Sequence, residues 1–385
     1  MQFKDIIGQD EVKARLIQSV QEERIPHAQL LTGKSGVGKL QLAIAYAQYI
    51  ACEHRTETDS CGVCPSCLQY AKLQHPDLHF AFPIYKVKAG KESVCNDFIN
   101  EWREIVLEEK YFDINDWYQK IGAETKQGVI YEAESGEILR KLSFKAFSGG
   151  YKTMIIWLPE KMNVACANKL LKILEEPADK TLFLLVSEEP DLLLPTIISR
   201  TQLLKVGDLS EQQITHALTE EYHDLPDGDA ADLAHIANGS YLKAKKAALQ
   251  TQDTNDNLNS FIQLMRNAYS VAVKRDYNAL VNMRKWSDSM ATLPTGREGQ
   301  KNFLQYASQQ IRENYIYNFG RHEMNYQTRA ESEFSVRFAP FITENNVGQI
   351  MEQLDLAQRQ IEQNGNAKII FFDLCLQMIV LIKRK

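Results

Sequence analysis

A glycine-rich segment that ends in lysine constrains the fold of this chain more than any other feature. Residues 33–39, GKSGVGK, follow a short run at 29–32 that predicts a strand, and they precede a helical pattern from 40 to 51. In that context glycines let backbone N–H groups turn towards a phosphate, and the lysine adds a positive charge. The segment is predicted to be a phosphate loop rather than a plain tight turn, with these cofactor-binding residues: Gly33, Gly36, Gly38 and Lys39.

The residues that would perform ATP hydrolysis are missing around this loop. Leu40 stands where the motif has a Ser or Thr that ligates Mg²⁺. Trp157 and Leu158 stand where an acidic pair should end a second strand. The nearest carboxylate is Glu160, and we expect Pro159 to end the strand geometry that would aim it. Preorganised contacts of this kind contribute roughly 3–4 kcal/mol each to a transition state. We therefore expect weak or absent ATP binding and no hydrolysis.

Four of the seven cysteines crowd into one segment with the spacing C-x8-C-x2-C-x2-C, in which Gly62-Val63 and Pro65-Ser66 supply tight turns. Such a set suits a structural, tetrahedral Zn²⁺, while free thiols or an iron–sulfur cluster are the alternatives. His54, His75 and His79 lie near in sequence and are expected to be solvated or packed in loops. The predicted zinc ligands are Cys52, Cys61, Cys64 and Cys67.

The composition argues against several functional classes. A formal charge of −6 disfavours a protein that coats nucleic acid by bulk electrostatics, so any DNA contact must be local or shared with partners. Arg55 is the single Lys or Arg in segment 52–67, which disfavours direct nucleic-acid reading by the cysteine module. The most apolar stretch, 369–382, is shorter than the roughly 20 residues of a membrane helix. With no signal peptide visible, we expect a cytoplasmic protein that does not contact a membrane.

The pattern of elements divides the 385 residues into two or three domains. Up to residue 207 helical and strand patterns alternate, which predicts an α/β domain with a parallel sheet. An insertion at about 80–146 is the least readable part. The patterns after 207 are helical, with a small unit at 208–250 and a larger one at 251–385. The predicted fold class is therefore α/β plus all-α.

Several segments occur in an order that resembles the bacterial clamp-loader branch of the AAA+ ATPases. They are FKDIIGQ at 3–9, His27-Ala28, GKSGVGK at 33–39, the four cysteines, NKLLKILEEP at 168–177 and Ile198-Ser199-Arg200-Thr201. The resemblance covers most of residues 1–250 outside the insertion. It implies a P-loop AAA+ domain with a zinc module at about 52–67 in residues 1–207, a helical lid at 208–250 and a helical collar for oligomerisation at 251–385.

Within that family the gamma/tau-type motor subunits keep Thr after the loop lysine and Asp-Glu in the second acidic element. The delta-prime type tolerates the loss of that Thr and of the Asp-Glu pair. This chain has Leu40, Trp157 and Leu158 at those positions, so it resembles the delta-prime type. The resemblance implies assembly with gamma/tau and delta subunits into a hetero-pentameric clamp loader of DNA polymerase III. It also implies work on the sliding clamp, and on primer–template DNA through the assembly.

Arg200 stands where the family has a Ser-Arg-Cys motif whose arginine reaches into a neighbouring subunit's ATP site. Such a finger contributes roughly 10³–10⁵ in rate. The alternative is that Arg200 caps a helix or pairs with a surface carboxylate, as surface arginines usually do. Ser187 occupies roughly the place of a residue that senses the γ-phosphate, whereas the later sensor arginine is replaced around 239–242.

Three functional hypotheses follow. The first is a largely non-hydrolysing stator that donates Arg200 to a neighbouring ATPase subunit during clamp loading in replication. The second is an ATP-hydrolysing, gamma/tau-like motor subunit in which Glu160 or Glu175 supplies the missing carboxylate. The third is a nucleic-acid-binding module built on the cysteine segment. The first accounts for the most residues.

Overall fold

The computed structural model describes most of the chain, namely residues 1–86, 93–123, 128–147, 150–223, 225, 227–249, 252–320 and 325–383. These residues form two compact units. Unit 1 consists of described residues in 1–123, 128–234 and 238–244, and unit 2 of those in 235–237 and 245–385. The predicted boundaries at 207/208 and 250/251 stay predictions.

A parallel five-stranded sheet forms the centre of unit 1. The strands are β1 Ala28–Thr32, β2 Leu78–Ala81, β3 Lys152–Trp157, β4 Thr181–Ser187 and β5 Gln202–Lys205. Their order is β2-β3-β4-β1-β5, and every neighbouring pair is parallel. Every residue of β1, β3 and β4 is buried, as expected for central strands covered on both faces. The predicted parallel α/β architecture is confirmed.

Eleven helices that begin in unit 1 are found among the described residues. They are α1 Asp10–Gln21, α2 Lys39–Ala51, α3 Pro65–Ala71, α4 Ile99–Glu108, α5 Ile114–Lys120, α6 Glu132–Ser143, α7 Val164–Glu175, α8 Pro195–Ile198, α9 Glu211–Glu221, α10 Asp227–Ile236 and α11 Tyr241–Ala248. Local chemistry starts several of them. The Ser210 hydroxyl caps α9 by accepting a hydrogen bond from the backbone N–H of Gln213.

Aromatic side chains from the described residues of the insertion at about 80–146 pack inside unit 1. Trp102 stacks on Phe82 at 4.3 Å between ring centroids, and it lies 5.2 Å from Trp157 at the end of β3. The Trp117 indole N–H donates to the carbonyl of Pro83 at 2.7 Å. The described residues of the insertion therefore share one core with the sheet, which the sequence did not predict.

Unit 2 is helical throughout the residues described. Its remaining helices are α12 Gln252–Ala272, α13 Asn278–Ala291, α14 Gly296–Tyr317, α15 Arg329–Phe338, α16 Val347–Glu362 and α17 Ala367–Leu381. In α16, Ile350, Leu354 and Ile361 are buried at helical spacing, which makes this an amphipathic helix. Asn366 caps α17, whose core side is buried. No helix among the described residues is long and apolar enough to cross a membrane.

Candidate functional site

The predicted phosphate loop connects the end of β1 to the start of α2, as its motif requires. Gly36 and Gly38 adopt positive φ angles of 76° and 94°, which favour glycine. A Cβ added to Gly36 would lie 2.5 Å from Ser240 Oγ and from Leu242 Cβ. Glycine at position 36 is therefore required by the backbone angle and by close contact with a later segment.

Lys39 is directed into the protein rather than towards solvent. Its side chain is 3 % exposed, and its ammonium donates to the carbonyl oxygen of Lys34 in the same loop. Lys39 Nζ also lies 3.7 Å from Glu188 Oε1. Burial lowers the pKa of Lys39 and raises the pKa of Glu188. The opposite charge of each partner acts against these shifts, because it stabilises the ionised form. The loop lysine is thus already engaged by groups of the chain itself.

Glu160 lies near this lysine, despite the proline before it. Leu158 adopts a positive φ of 54°, and this turn returns Glu160 to the edge of the sheet where β3 and β4 end. Glu160 Oε1 accepts hydrogen bonds from the backbone N–H groups of Glu188 at 2.8 Å and Glu189 at 3.2 Å. Its other oxygen is buried without a hydrogen-bond partner among the described residues. The strand does end before Pro159, and the turn at Leu158, rather than the strand itself, sets the position of this carboxylate.

Large apolar side chains fill the space beside the loop. The remaining cavity measures about 20 Å³, which is enough for about one water molecule. Trp157 packs against Phe112 at 5.3 Å between ring centroids. The described side chains beside the loop are therefore closely packed. The residues that line the cavity are Gly36, Gly38, Lys39, Leu40, Gln41, Tyr111, Phe112, Trp157, Val186 and Glu188.

A segment far along the chain covers the backbone of the loop. Ser240 Oγ donates to the carbonyl oxygen of Ser35 at 2.8 Å, and the backbone N–H of Tyr241 donates to that of Gly36 at 3.1 Å. Lys34 Nζ lies 2.6 Å from Asp208 Oδ2. Ser240 and Tyr241 lie within 239–242, where the sequence is expected to lack the family's sensor arginine, and they contact the loop.

The four predicted metal ligands converge. The sulfur atoms of Cys52, Cys61, Cys64 and Cys67 all lie within 4.8 Å of one another. Thiolates around a tetrahedral Zn²⁺ at about 2.3 Å would be separated by about 3.8 Å, and Cys61 and Cys67 are 3.9 Å apart. Backbone N–H groups of residues 61, 64 and 67 donate to the sulfurs of Cys52, Cys61 and Cys64 at 3.2–3.5 Å. The donor set and its spacing fit a metal ion.

The electrostatics of this cluster favour a thiolate at Cys61. Backbone N–H groups of Val63 and Cys64 lower the pKa of its thiol to about 6. Among the described residues, the group that could hold a metal contains no histidine. His75 is buried elsewhere, where its Nδ1 accepts the backbone N–H of Asp77 at 3.1 Å. The group of side chains that could hold a metal ion therefore consists of four cysteines.

Arg200 lies just before β5, whose first residue, Gln202, pairs with Gln29 of β1. Because the strands are parallel, Arg200 lies at the amino-terminal ends of the strands, and the phosphate loop lies at their carboxyl-terminal ends. The length of β1, roughly 13–17 Å, separates them. Arg200 forms an ion pair with Glu175, with Nη2 2.9 Å and Nε 3.1 Å from Oε2. The surface pairing weighed in the sequence is present, and both side chains remain partly exposed.

Comparison with known proteins identifies the family. The family model described as "DNA polymerase III, delta subunit" matches residues 8–210. This chain belongs to that family of clamp-loader subunits. The matched range includes the phosphate loop, the four cysteines and Arg200. The predicted family is therefore confirmed.

The curated relatives are subunits of DNA polymerase III. The tau/gamma subunit of Haemophilus influenzae is 26% identical over 281 residues, which are 70% of this chain and 35% of that protein. The delta' subunits of Bacillus subtilis and Pseudomonas aeruginosa are 29% and 30% identical over 232 and 224 residues. Those matches cover 60% and 57% of this chain, and 56% and 55% of the relatives. The chain thus spans about a third to just over half of the length of these relatives.

Sequence reasoning missed two features of this clamp-loader subunit. The first is Glu188, which pairs with Lys39 and directly follows β4. An acidic residue just after a buried strand lies at the carboxyl ends of the parallel strands, where the loop also lies, so the sequence could have indicated it. The covering contact between Ser240 and Ser35 joins residues 205 positions apart, and no local pattern predicts it. Ser187 was singled out as a possible sensor. It is fully buried, and its hydroxyl has no hydrogen-bond partner among the described residues.

Proposed function

We propose that this clamp-loader subunit is delta-prime-like: a largely non-hydrolysing stator that donates Arg200 to the ATP site of a neighbouring subunit. The observation that carries this proposal is the engagement of Lys39 by the Lys34 carbonyl and Glu188, beside a cavity of about 20 Å³. A loop that binds nucleotide needs a free lysine and an open approach to its N–H groups. In this chain the lysine is bound by neighbouring groups, and packed side chains occupy the approach to the loop.

The loss of magnesium ligands supports the absence of hydrolysis. Leu40 cannot ligate Mg²⁺, and Trp157 fills the position of a carboxylate with packed indole. Each preorganised contact to a phosphoryl transition state contributes roughly 3–4 kcal/mol, or about 10²–10³ in rate. Removing two such contacts lowers the rate by roughly 10⁴ or more, which leaves no useful turnover.

The position of Arg200 supports a role in another subunit. It lies at the edge of the sheet opposite its own phosphate loop, so it cannot serve that loop. At a partly exposed site its guanidinium pairs with one carboxylate, Glu175, and also donates to the carbonyl oxygen of Thr196 at 3.1 Å. Exposed ion pairs contribute only about 0–1 kcal/mol, so a γ-phosphate from a neighbour can displace Glu175 at small cost.

The setting of this function follows from the family. We propose that the partners are gamma/tau and delta subunits in a hetero-pentamer that opens a sliding clamp in the cytoplasm. DNA contact through the assembly agrees with the chain's formal charge of −6, which disfavours binding duplex DNA alone. The helical unit 2 would supply the collar that holds the subunits in a ring.

The cysteine cluster would hold a structural Zn²⁺ through Cys52, Cys61, Cys64 and Cys67. A metal held by four thiolates has no open position, so it would stabilise the module and leave the chemistry to other residues. Metal content of the purified chain tests this: we expect one zinc per chain, lost in Cys64→Ser. Iron with visible absorbance would indicate a cluster, and metal-free folded protein would refute the site.

Nucleotide binding and hydrolysis by the isolated chain test the proposed loss of function. We expect no magnesium-dependent ATPase activity, and binding of a fluorescent ATP analogue too weak to saturate. Lys39→Ala is the control for the loop, and it should leave the background unchanged. Substantial activity that Lys39→Ala abolishes would refute the proposal.

A second candidate is a gamma/tau-like motor subunit, and the position of Glu160 near Lys39 favours it. Against it, Glu160 accepts two backbone N–H groups, and Glu175 lies at the opposite edge of the sheet, bound to Arg200. If the chain is a motor, Glu160→Gln must abolish turnover that the wild type displays. If it is a stator, this variant has no turnover to lose.

A further inference from the structure

Unit 2 contains a groove of about 830 Å³ between α12 and α15. One wall comes from Ile262, Met265, Arg266 and Tyr269, which follow the i, i+3, i+4, i+7 spacing of a single helix face. The other wall comes from the α15 face. It presents Glu333, Phe334, Val336 and Arg337, and the floor includes Phe341 and Ile382. Two helices with an apolar floor between them have the shape of a groove for a third helix.

Three cations line this groove, against one acid, Glu333. Arg266 and Arg337 are exposed and form no ion pair with any residue that the structure describes. Lys274 Nζ lies 5.9 Å from the ring centroid of Tyr269. The groove is therefore positive in a chain whose formal charge is −6. This local sign complements an acidic partner.

The aromatic residues of the groove are already packed against one another. Phe334 stacks on Phe338 at 4.9 Å between centroids, and Tyr269 meets Phe341 edge-on at 5.0 Å. Nucleobases bind to aromatic rings whose faces are free. Rings that pack mainly on each other present edges and gaps instead, which suit aliphatic side chains. The groove thus favours a peptide over single-stranded nucleic acid.

We propose that this groove binds an amphipathic helical segment of another protein, with apolar side chains at helical spacing and Asp or Glu on both flanks. The apolar side chains would enter between α12 and α15, and the acids would pair with Arg266, Arg337 and Lys274. Val336, which is 59% exposed at the rim, would be covered by the bound helix. The inference does not depend on whether the phosphate loop binds nucleotide or on the role of Arg200.

The test uses the full chain and a synthetic, fluorescent peptide probe of roughly 18 residues, long enough to form a helix. The probe carries Leu along one face and Glu on both flanks. A matched peptide carries Lys instead of Glu, and an oligodeoxythymidine serves as the nucleic-acid competitor. Fluorescence anisotropy gives the dissociation constants. The variants are the double reversal Arg266→Glu with Arg337→Glu, and the single change Val336→Asp. The matched control is Lys285→Glu, an exposed lysine of α13 outside the groove.

We expect the acidic peptide to bind with saturation and the basic peptide not to bind. Reversing two rim charges turns attraction into repulsion, so the double variant should weaken binding by roughly tenfold or more. Val336→Asp should weaken it too, and Lys285→Glu should not. Circular dichroism checks that each variant is folded. Absence of saturable binding, equal affinity for the basic peptide, full affinity in the double variant, or displacement by the oligonucleotide would each overturn the proposal.

Discussion

Trp157→Ala tests whether the residue that replaces the catalytic acid has become part of the core. The residue is 4% exposed, and its ring centroid lies 5.2 Å from that of Trp102 and 5.3 Å from that of Phe112. Truncating a buried Trp to Ala typically costs about 3–5 kcal/mol, and each lost aromatic contact about 0.5–1.5 kcal/mol of that. We expect unit 1 to lose about 4 kcal/mol of unfolding free energy. Trp157→Phe keeps a ring in place and should lose about 1–2 kcal/mol.

Urea unfolding followed by tryptophan fluorescence measures this loss. Trp102 and Trp117 lie in unit 1 and Trp286 in unit 2. A Trp286→Phe background therefore makes the signal specific for unit 1. A loss below about 1 kcal/mol in Trp157→Ala would refute the packing role. The variant should also remain without ATPase activity, because removing the indole restores neither a magnesium ligand nor a carboxylate.

Two further perturbations test other parts of unit 1. Asp59 accepts hydrogen bonds from the backbone N–H groups of Phe3, Lys4 and Ser60 at 2.7–3.1 Å. Asp59→Ala should therefore lower the free energy of unfolding, measured in urea, by about 2–4 kcal/mol. The control Glu57→Ala, at an exposed position, should change it by no more than about 0.5 kcal/mol. Burial lowers the pKa of His79 from 6.5 to about 4, so the unfolded chain binds more protons between these values. Stability should therefore fall as the pH is lowered from 6.5 to 4, and His79→Gln should reduce that fall. An equal pH dependence in the variant would contradict the assignment.

The architecture of unit 1 could be predicted because its signals are local. Apolar runs such as 182–186 are long enough to indicate central strands, and the glycines before Lys39 identify the turn that follows β1. The spacing of Cys52, Cys61, Cys64 and Cys67 indicated a metal centre that the sulfur positions confirm as possible. These predictions needed no knowledge of distant contacts.

What the sequence could not supply depends on tertiary contacts. Lys39 contacts Glu188, which lies about 150 positions later in the sequence. Ser240, which covers the loop, lies about 200 positions after it, and no local pattern reports such contacts. Glu160 returned to the site through a positive φ at Leu158, a conformation that is uncommon for leucine and is imposed by the surrounding fold. The role of Trp157 was read as a loss of chemistry, and its packing with the insertion was not foreseen.

The proposed function requires Arg200 of this subunit to act at the ATP site of a neighbouring subunit. The most direct measurement is the clamp-dependent and DNA-dependent ATPase rate of a loader reconstituted with this chain and with gamma/tau and delta partners. Arg200→Ala should lower that rate by roughly 10³ at the neighbouring site. The control Arg140→Ala, which removes an exposed arginine paired with Glu137, should not change it. An unchanged rate with Arg200→Ala in a fully assembled loader would contradict this role of Arg200.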